Sequence, residues 1–226
     1  MKKTMLVGAI LLTSNTAFAA SYVTGNIQFH SNKTVTSNQT SKVEAGHIFN
    51  NIIGNMTVFV EYSAIPIGGY SSDEGKANDP YVTLGIEQSH SFSDKFWVAL
   101  GYHHLLQAGE VIQLRPLFKL GYKFDNGFAL ENRTRFHIDD TDADKGLIEV
   151  RYDNKIAYSF KDFPLRVHYN NVFYDKRSGD DSMDHEVRAQ WTRKGVQPYI
   201  ENRSQGHGVS GKKVNNALVF GASYTF

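Results

Sequence analysis

The sequence predicts an all-β protein, a transmembrane antiparallel β-barrel of about twelve strands. Three observations predict it. The last stretch alternates Leu218, Phe220, Ala222, Tyr224 and Phe226 with Val219, Gly221, Ser223 and Thr225, and nothing follows that could cover the apolar face. Period-two alternation of this kind recurs along the chain, and helical periodicity is absent after residue 19. Finally, 12 Tyr and 15 Phe against only 4 Met suit aromatic girdles at two membrane interfaces better than an ordinary soluble core. A strand whose apolar side faces lipid must have its backbone paired on both edges, so such strands exist only in closed barrels.

Residues 1–19 read as an export signal. Lys2 and Lys3 precede an apolar run from Met5 to Leu12, and Ala17 and Ala19 satisfy the small-residue rule for cleavage after Ala19. The run is far shorter than the roughly 20 apolar residues of a spanning helix. The expected mature domain, residues 20–226, carries 22 Lys and Arg against 23 Asp and Glu, so net charge argues for no nucleic acid or other polyanionic partner. With zero Cys, a disulfide framework and thiolate metal chemistry are both excluded. Mean hydropathy is negative, which fits a barrel whose strands bury only every second residue in lipid.

The strands are expected at Tyr22–His30, Lys42–Phe49, Met56–Tyr62, Tyr81–Gln88, Phe96–His104, Ile112–Phe124, Phe128–His137, Leu147–Tyr158, Leu165–Tyr174, Glu186–Thr192, Gln197–Arg203 and Val214–Phe226. Each shows one apolar face, as in the first, where Val23, Ile27 and Phe29 alternate with Thr24, Asn26, Gln28 and His30. Short turns are expected near Asn50–Gly54, His90–Lys95, Asp125–Gly127, Ser159–Pro164 and Arg193–Gly195. Asp125-Asn126-Gly127 is the clearest, since Asn and Gly tolerate positive φ. The other connections read as longer, the longest being Ala64–Asp79. Short turns on one side and long loops on the other are the barrel pattern.

Turning the apolar face outward fixes what points inward. In the sixth strand Leu114, Phe118, Leu120 and Tyr122 go to lipid, which sends Arg115, Lys119 and Lys123 to the lumen. The seventh sends Phe128, Leu130 and Phe136 out and Glu131, Arg133, Arg135 and His137 in. By the same parity Arg151, Lys155, Arg166, Arg188 and Arg203 face inward, as do the acids Glu44, Glu61, Glu87, Glu149, Asp153, Glu186 and Glu201. Two readings follow. A basic wall in the second half of the barrel would draw anions into a low-dielectric constriction. Alternatively, the acids and bases pair and fill a narrow interior; twelve strands lie between the roughly eight that enclose only side chains and the 16 that leave a wide channel.

Catalysis and metal binding find no support. The nine His are scattered, and His103 and His104 point to opposite faces. A lipid hydrolase needs nucleophile and base on one strand face within hydrogen-bond reach. Here His30-Ser31 and His90-Ser91 are adjacent, on opposite faces, and no His-x-Ser occurs.

The segment Arg115 to Phe124 (R-P-L-F-K-L-G-Y-K-F), the Arg133-Thr134-Arg135 strand, Pro198-Tyr199-Ile200-Glu201 and the closing S-Y-T-F resemble, in order and spacing, the small oligogalacturonate-specific porins and the related sialic-acid channel, the KdgM/NanC family. The likeness runs along the whole mature chain. It implies a monomeric twelve-stranded barrel in the bacterial outer membrane, in contact with outer-membrane lipids and without a cofactor, whose facing strips of Arg and Lys pass acidic oligosaccharides or sugar acids by diffusion. On that resemblance Arg115, Lys119, Arg133 and Arg135 belong to one strip, and Arg166, Arg188 and Arg203 are candidates for the other. The acids Glu131, Glu149, Asp153 and Glu201 depart from a purely basic lumen. A non-conducting barrel serving as an adhesin or structural protein through a loop such as Ile65–Asn78 is the alternative.

Overall fold

A computed structural model describes residues 20–34, 37–67, 80–142 and 144–226. The expected signal, residues 1–19, and most of the longest connection, residues 68–79, lie outside the described residues.

Twelve strands form the molecule: β1 (Ala20–Thr34), β2 (Ser37–Asn50), β3 (Asn55–Pro66), β4 (Tyr81–Ser91), β5 (Phe96–Gln107), β6 (Glu110–Lys123), β7 (Phe128–Asp139), β8 (Leu147–Ser159), β9 (Leu165–Lys176), β10 (Ser182–Trp191), β11 (Gln197–His207) and β12 (Asn215–Thr225). Each is antiparallel to its neighbours in sequence, and β1 closes the ring against β12, from Tyr22 opposite Thr225 to His30 opposite Ala217. The Phe226 amide donates to the Ser21 carbonyl at 2.9 Å, so pairing continues to the last residue. No edge is left open, the condition for crossing hydrocarbon.

The five short turns fall where expected, and both the start of β1 and the end of β12 lie at their end of the barrel. At Asp125-Asn126-Gly127, Gly127 has φ 96° and its amide bonds the Phe124 carbonyl. Lys95 on the neighbouring turn reaches Asp125 at 2.6 Å, and that carboxylate holds the exposed ammonium above its ordinary range. The opposite end departs from expectation. Strands run further than their alternation indicates, and β5 and β6 join through Ala108 and Gly109 alone, both at positive φ (51° and 86°), where residues 105–111 read as a loop. A bulge at Leu105/Leu106 interrupts the alternation there, which hides the strand. Ala64–Pro66, expected in the long loop, belong to β3.

Parity holds as expected. Val58 and Leu120 are each 41% exposed on the outer face, whereas Val219 is fully enclosed on the inner one. Bulky inward rings are accommodated by glycine: Tyr22 lies opposite Gly46, Phe59 opposite Gly85, Trp97 opposite Gly121 and Tyr199 opposite Gly221. A Cβ at any of these glycines would collide with the ring. The rings therefore lie along the wall.

Candidate functional site

The lumen encloses a cavity of about 770 Å³, bounded by side chains of β1 to β11. Nine Lys and Arg and seven Asp and Glu line it. Alternation puts them there, because successive side chains along a strand point to opposite faces.

The structure gathers the sequence-predicted cations into distinct groups. On β6, β7 and β8 they form a grid: Lys119 pairs with Arg133 and Arg133 with Asp153 in one row, and Arg135 sits directly opposite Arg151 in the next. Asp153 accepts from Arg133 Nε at 2.9 Å and from Arg151 Nη2 at 2.6 Å. Arg135 Nε donates to His137 Nε2 at 2.8 Å and Arg115 Nε to Gln113 Oε1 at 2.7 Å, neutral partners in both cases. Two of the four guanidiniums thus share one carboxylate, and a second, Glu149, stands behind His137 at 2.6 Å. Like charges directly opposed across strands are destabilising, so the Arg135–Arg151 pair is an electrostatic cost carried by the fold. The Arg151 guanidinium also lies 5.2 Å from the Tyr174 ring centre.

Other predicted cations are balanced. Lys119 contacts Glu87, which His103 Nε2 meets at 3.0 Å. Glu131 takes Lys155 at 3.3 Å and Arg166 at 3.2 Å, and Arg166 is withdrawn from the cavity. On β10 and β11, Glu201 is enclosed between Arg188, at 2.6 Å, and Arg203, while Glu186 lies 3.7 Å from Arg203. Arg188 also stacks 4.0 Å from the Tyr199 ring centre. Lys123 stands near the short-turn end of β6, outside the cavity lining.

Two lumen charges were not singled out in the sequence. Lys42 contacts Glu61 and lies 3.4 Å from Glu44, which also accepts from Tyr22 Oη at 2.9 Å. Asp184 accepts from the Gly206 amide at 2.8 Å and lines the cavity. The outward alternation of Val43 and of Met183 and His185 was the available signal. In a twelve-strand ring β12, β1 and β2 face β6, β7 and β8, so Lys42 and Glu44 on β2, with Glu61 beside them on β3, lie across from the β8 side of the arginine grid. The arrangement differs from two facing basic strips: the positive excess lies on β6–β8, and the Arg188/Arg203 group is neutralised by Glu186 and Glu201.

Neither a protein-family model nor a curated protein matches the sequence. Solved structures do. The KdgM porin aligns with a TM-score of 0.64 at 12% identity over 91% of this chain and 99% of its own. The NanC porin aligns with a TM-score of 0.64 at 11% identity over 89% and 98%. An outer membrane channel from Pseudomonas putida F1 aligns with a TM-score of 0.61 at 11% identity over 98% and 100%. The chain shares the fold of these small porins and channels.

Proposed function

We propose that the protein is a passive outer-membrane channel for small anionic solutes, with sugar acids and acidic oligosaccharides as the substrate class, and that residues 1–19 are a cleaved export signal. One observation carries this reading: of Arg115, Arg133, Arg135 and Arg151, gathered on three adjacent strands around a cavity, Arg133 and Arg151 meet the one carboxylate of Asp153 while Arg115 and Arg135 donate to Gln113 and His137. Structural pairing alone would not call for such an excess. A guanidinium fork matches a carboxylate bidentately, so Arg115, Arg135 and Arg151 can hand an acidic sugar along without a deep binding site. Lys119, Lys155, Arg166, Arg188 and Arg203, already paired with lumen acids, set the shape and background charge of the passage, and Lys123 adds a cation near the exit. The fold shared with porins supports the channel reading.

The test is single-channel recording in a planar bilayer under a KCl gradient. Discrete conductance steps with a reversal potential on the anion side are expected, with conductance reduced by added oligogalacturonate or sialate. A second reading, a closed barrel acting as an adhesin or scaffold, is favoured by the number of lumen ion pairs. Absence of any conductance from folded, heat-modifiable protein would decide for it.

A further inference from the structure

On β3 the alternation puts Met56, Val58, Val60 and Tyr62 on the lipid side and Thr57, Phe59, Glu61 and Ser63 on the lumen side. Phe59 is out of place in the second set. Among the described residues it is the one phenylalanine on the cavity wall. Other inward apolar side chains, Leu117, Val172 and Val219, are buried, and so are the rings of Tyr22, Trp97 and Tyr199. Phe59 keeps part of its surface open to the cavity. Its ring rests over Gly85, where a Cβ would collide with it, and the His103 ring packs against it at right angles, with centroids 5.0 Å apart. Wall and histidine thus hold the ring in place on one side, and the other side looks onto the lumen. An apolar ring gains nothing from facing water; a ligand with an apolar face of its own would cover it.

The opposite wall holds a second unmet group. In a ring of twelve strands β3 stands across from β9. Phe59 is the fifth residue of β3 counted from its short-turn end at Asn55, and Asn170 the sixth of β9 counted from Leu165. A strand tilted near 40° climbs about 2.5 Å per residue, so the two side chains lie within about 3 Å of one depth. Asn170 is 5% exposed and lines the cavity. Its Nδ2 donates to Glu186 Oε2 at 2.9 Å, which fixes the orientation of the amide and leaves Oδ1 as a buried acceptor without a partner. A buried polar atom of that kind calls for a donor. Directly opposite Asn170 in register, Lys155 on β8 meets Glu131 at 3.3 Å and keeps 31% of its side chain exposed.

We infer that Phe59, Asn170 and Lys155 form a pyranose site in the lumen, which makes the channel discriminate acidic sugars in ring form from acyclic acids of the same charge. This rests on the channel reading above and adds to it the shape of the solute. The C–H groups on one face of a pyranose are weakly positive and meet the negative face of an aromatic ring. Hydroxyls at the rim of the sugar donate to Asn170 Oδ1, and the Lys155 ammonium meets the carboxylate. An open-chain acid offers the same hydroxyls and carboxylate but no flat apolar face. The arginines alone would not tell the two apart, since a guanidinium fork recognises only the carboxylate that both carry.

The test is block of single-channel current through the full-length folded protein by two probes: the methyl glycoside of galacturonate, which is locked as a pyranose, and gluconate, which is acyclic. In the unaltered channel the ring form should block at a concentration roughly 3- to 10-fold lower. Phe59→Leu, which keeps an apolar side chain but no ring, should bring the two blocking concentrations together, and Phe59→Tyr should preserve the difference. The heat-dependent gel shift checks the folding of each variant, and the unaltered protein by itself decides the first comparison. An anion-selective channel that the two acids block equally would overturn the pyranose site and leave the channel reading standing. So would a ring preference that survives Phe59→Leu, or one lost as fully in Phe59→Tyr as in Phe59→Leu, which would assign it to lumen width. No conductance, or a reversal potential on the cation side, would overturn the channel reading and the site with it.

Discussion

Replacing both Arg133 and Arg135 with Glu should reverse the ion preference of the pore. In the β6–β8 grid, Arg115, Arg133, Arg135 and Arg151 against Asp153 and Glu149 give a formal charge of +2. The double substitution changes this by four units, to −2. For an ion about 8 Å from each site in a water-filled lumen, one unit charge contributes about 0.5 kcal/mol. At 0.1 M salt, with a Debye length of about 10 Å, screening removes about half of it. Four units then move a monovalent anion up and a cation down by about 1 kcal/mol each, a change in preference of about 2 kcal/mol or roughly 30-fold. The assay is the reversal potential across a planar bilayer under a KCl gradient, with folding checked by the heat-dependent gel shift. Arg133→Gln with Arg135→Gln should produce about half the shift, and raising salt toward 1 M should shrink both, because the Debye length falls to about 3 Å. An unchanged reversal potential in folded double mutant would mean that the permeating ion does not pass this grid, and would refute the assignment of these arginines to selectivity.

Other substitutions test other parts of the fold. Arg at Leu120 or Val58, both on the lipid face, should cost about 2 to 4 kcal/mol in denaturant unfolding of the lipid-reconstituted barrel, and a small effect would mean that the strand register is wrong. Glu201→Gln leaves Arg188 and Arg203 without their shared carboxylate and should cost on the order of 3 kcal/mol in the same assay, less if lumen water replaces it. In the loops, Asp180 accepts the Ser210 amide at 2.8 Å, and that bond holds its carboxyl below the ordinary Asp range. A depressed carboxyl contributes stability above its unfolded value and loses it as pH falls through the lower folded one. Protection of the Ser210 amide, its exchange rate relative to a free peptide at each pH, should therefore hold through about pH 4 and fall only below it; protection lost from neutral pH downward would contradict the tether.

How far the sequence was legible follows from the physics of alternation. Leu114 and Arg115 are neighbours on one strand, so assigning one to lipid sends the other inward, and every predicted lumen cation follows from that rule. Who pairs with whom does not. Lys119 on β6 reaches Glu87 on β4 across the intervening β5, where Ala99 and Gly101 are the residues in between. Arg166 on β9 reaches Glu131 on β7 across β8, beside Ala157. Such bridges depend on small residues in a third strand, which no pattern within one strand reveals. Within β6 and β7 alone Glu131 stands among five inward cations, whereas Glu87 and Asp153 from other strands take Lys119 and Arg133. The β5–β6 turn escaped notice for a local reason. Ala108 at φ 51° is an unfavourable occupant of a position that Asn or Gly would have advertised.

The four glycines beneath Tyr22, Phe59, Trp97 and Tyr199 set the width of the lumen. With no Cβ beneath it, a ring can be absorbed into the thickness of the wall; with even a methyl group there, it has to swing toward the axis. Width along these eight strands, from β11 round to β6, is thus encoded in residues without side chains, on strands other than those that bear the rings. A homologous barrel could be narrowed or widened by exchanging Gly and Ala alone, with no change to the lumen charges. Width and charge are separately adjustable properties of one wall.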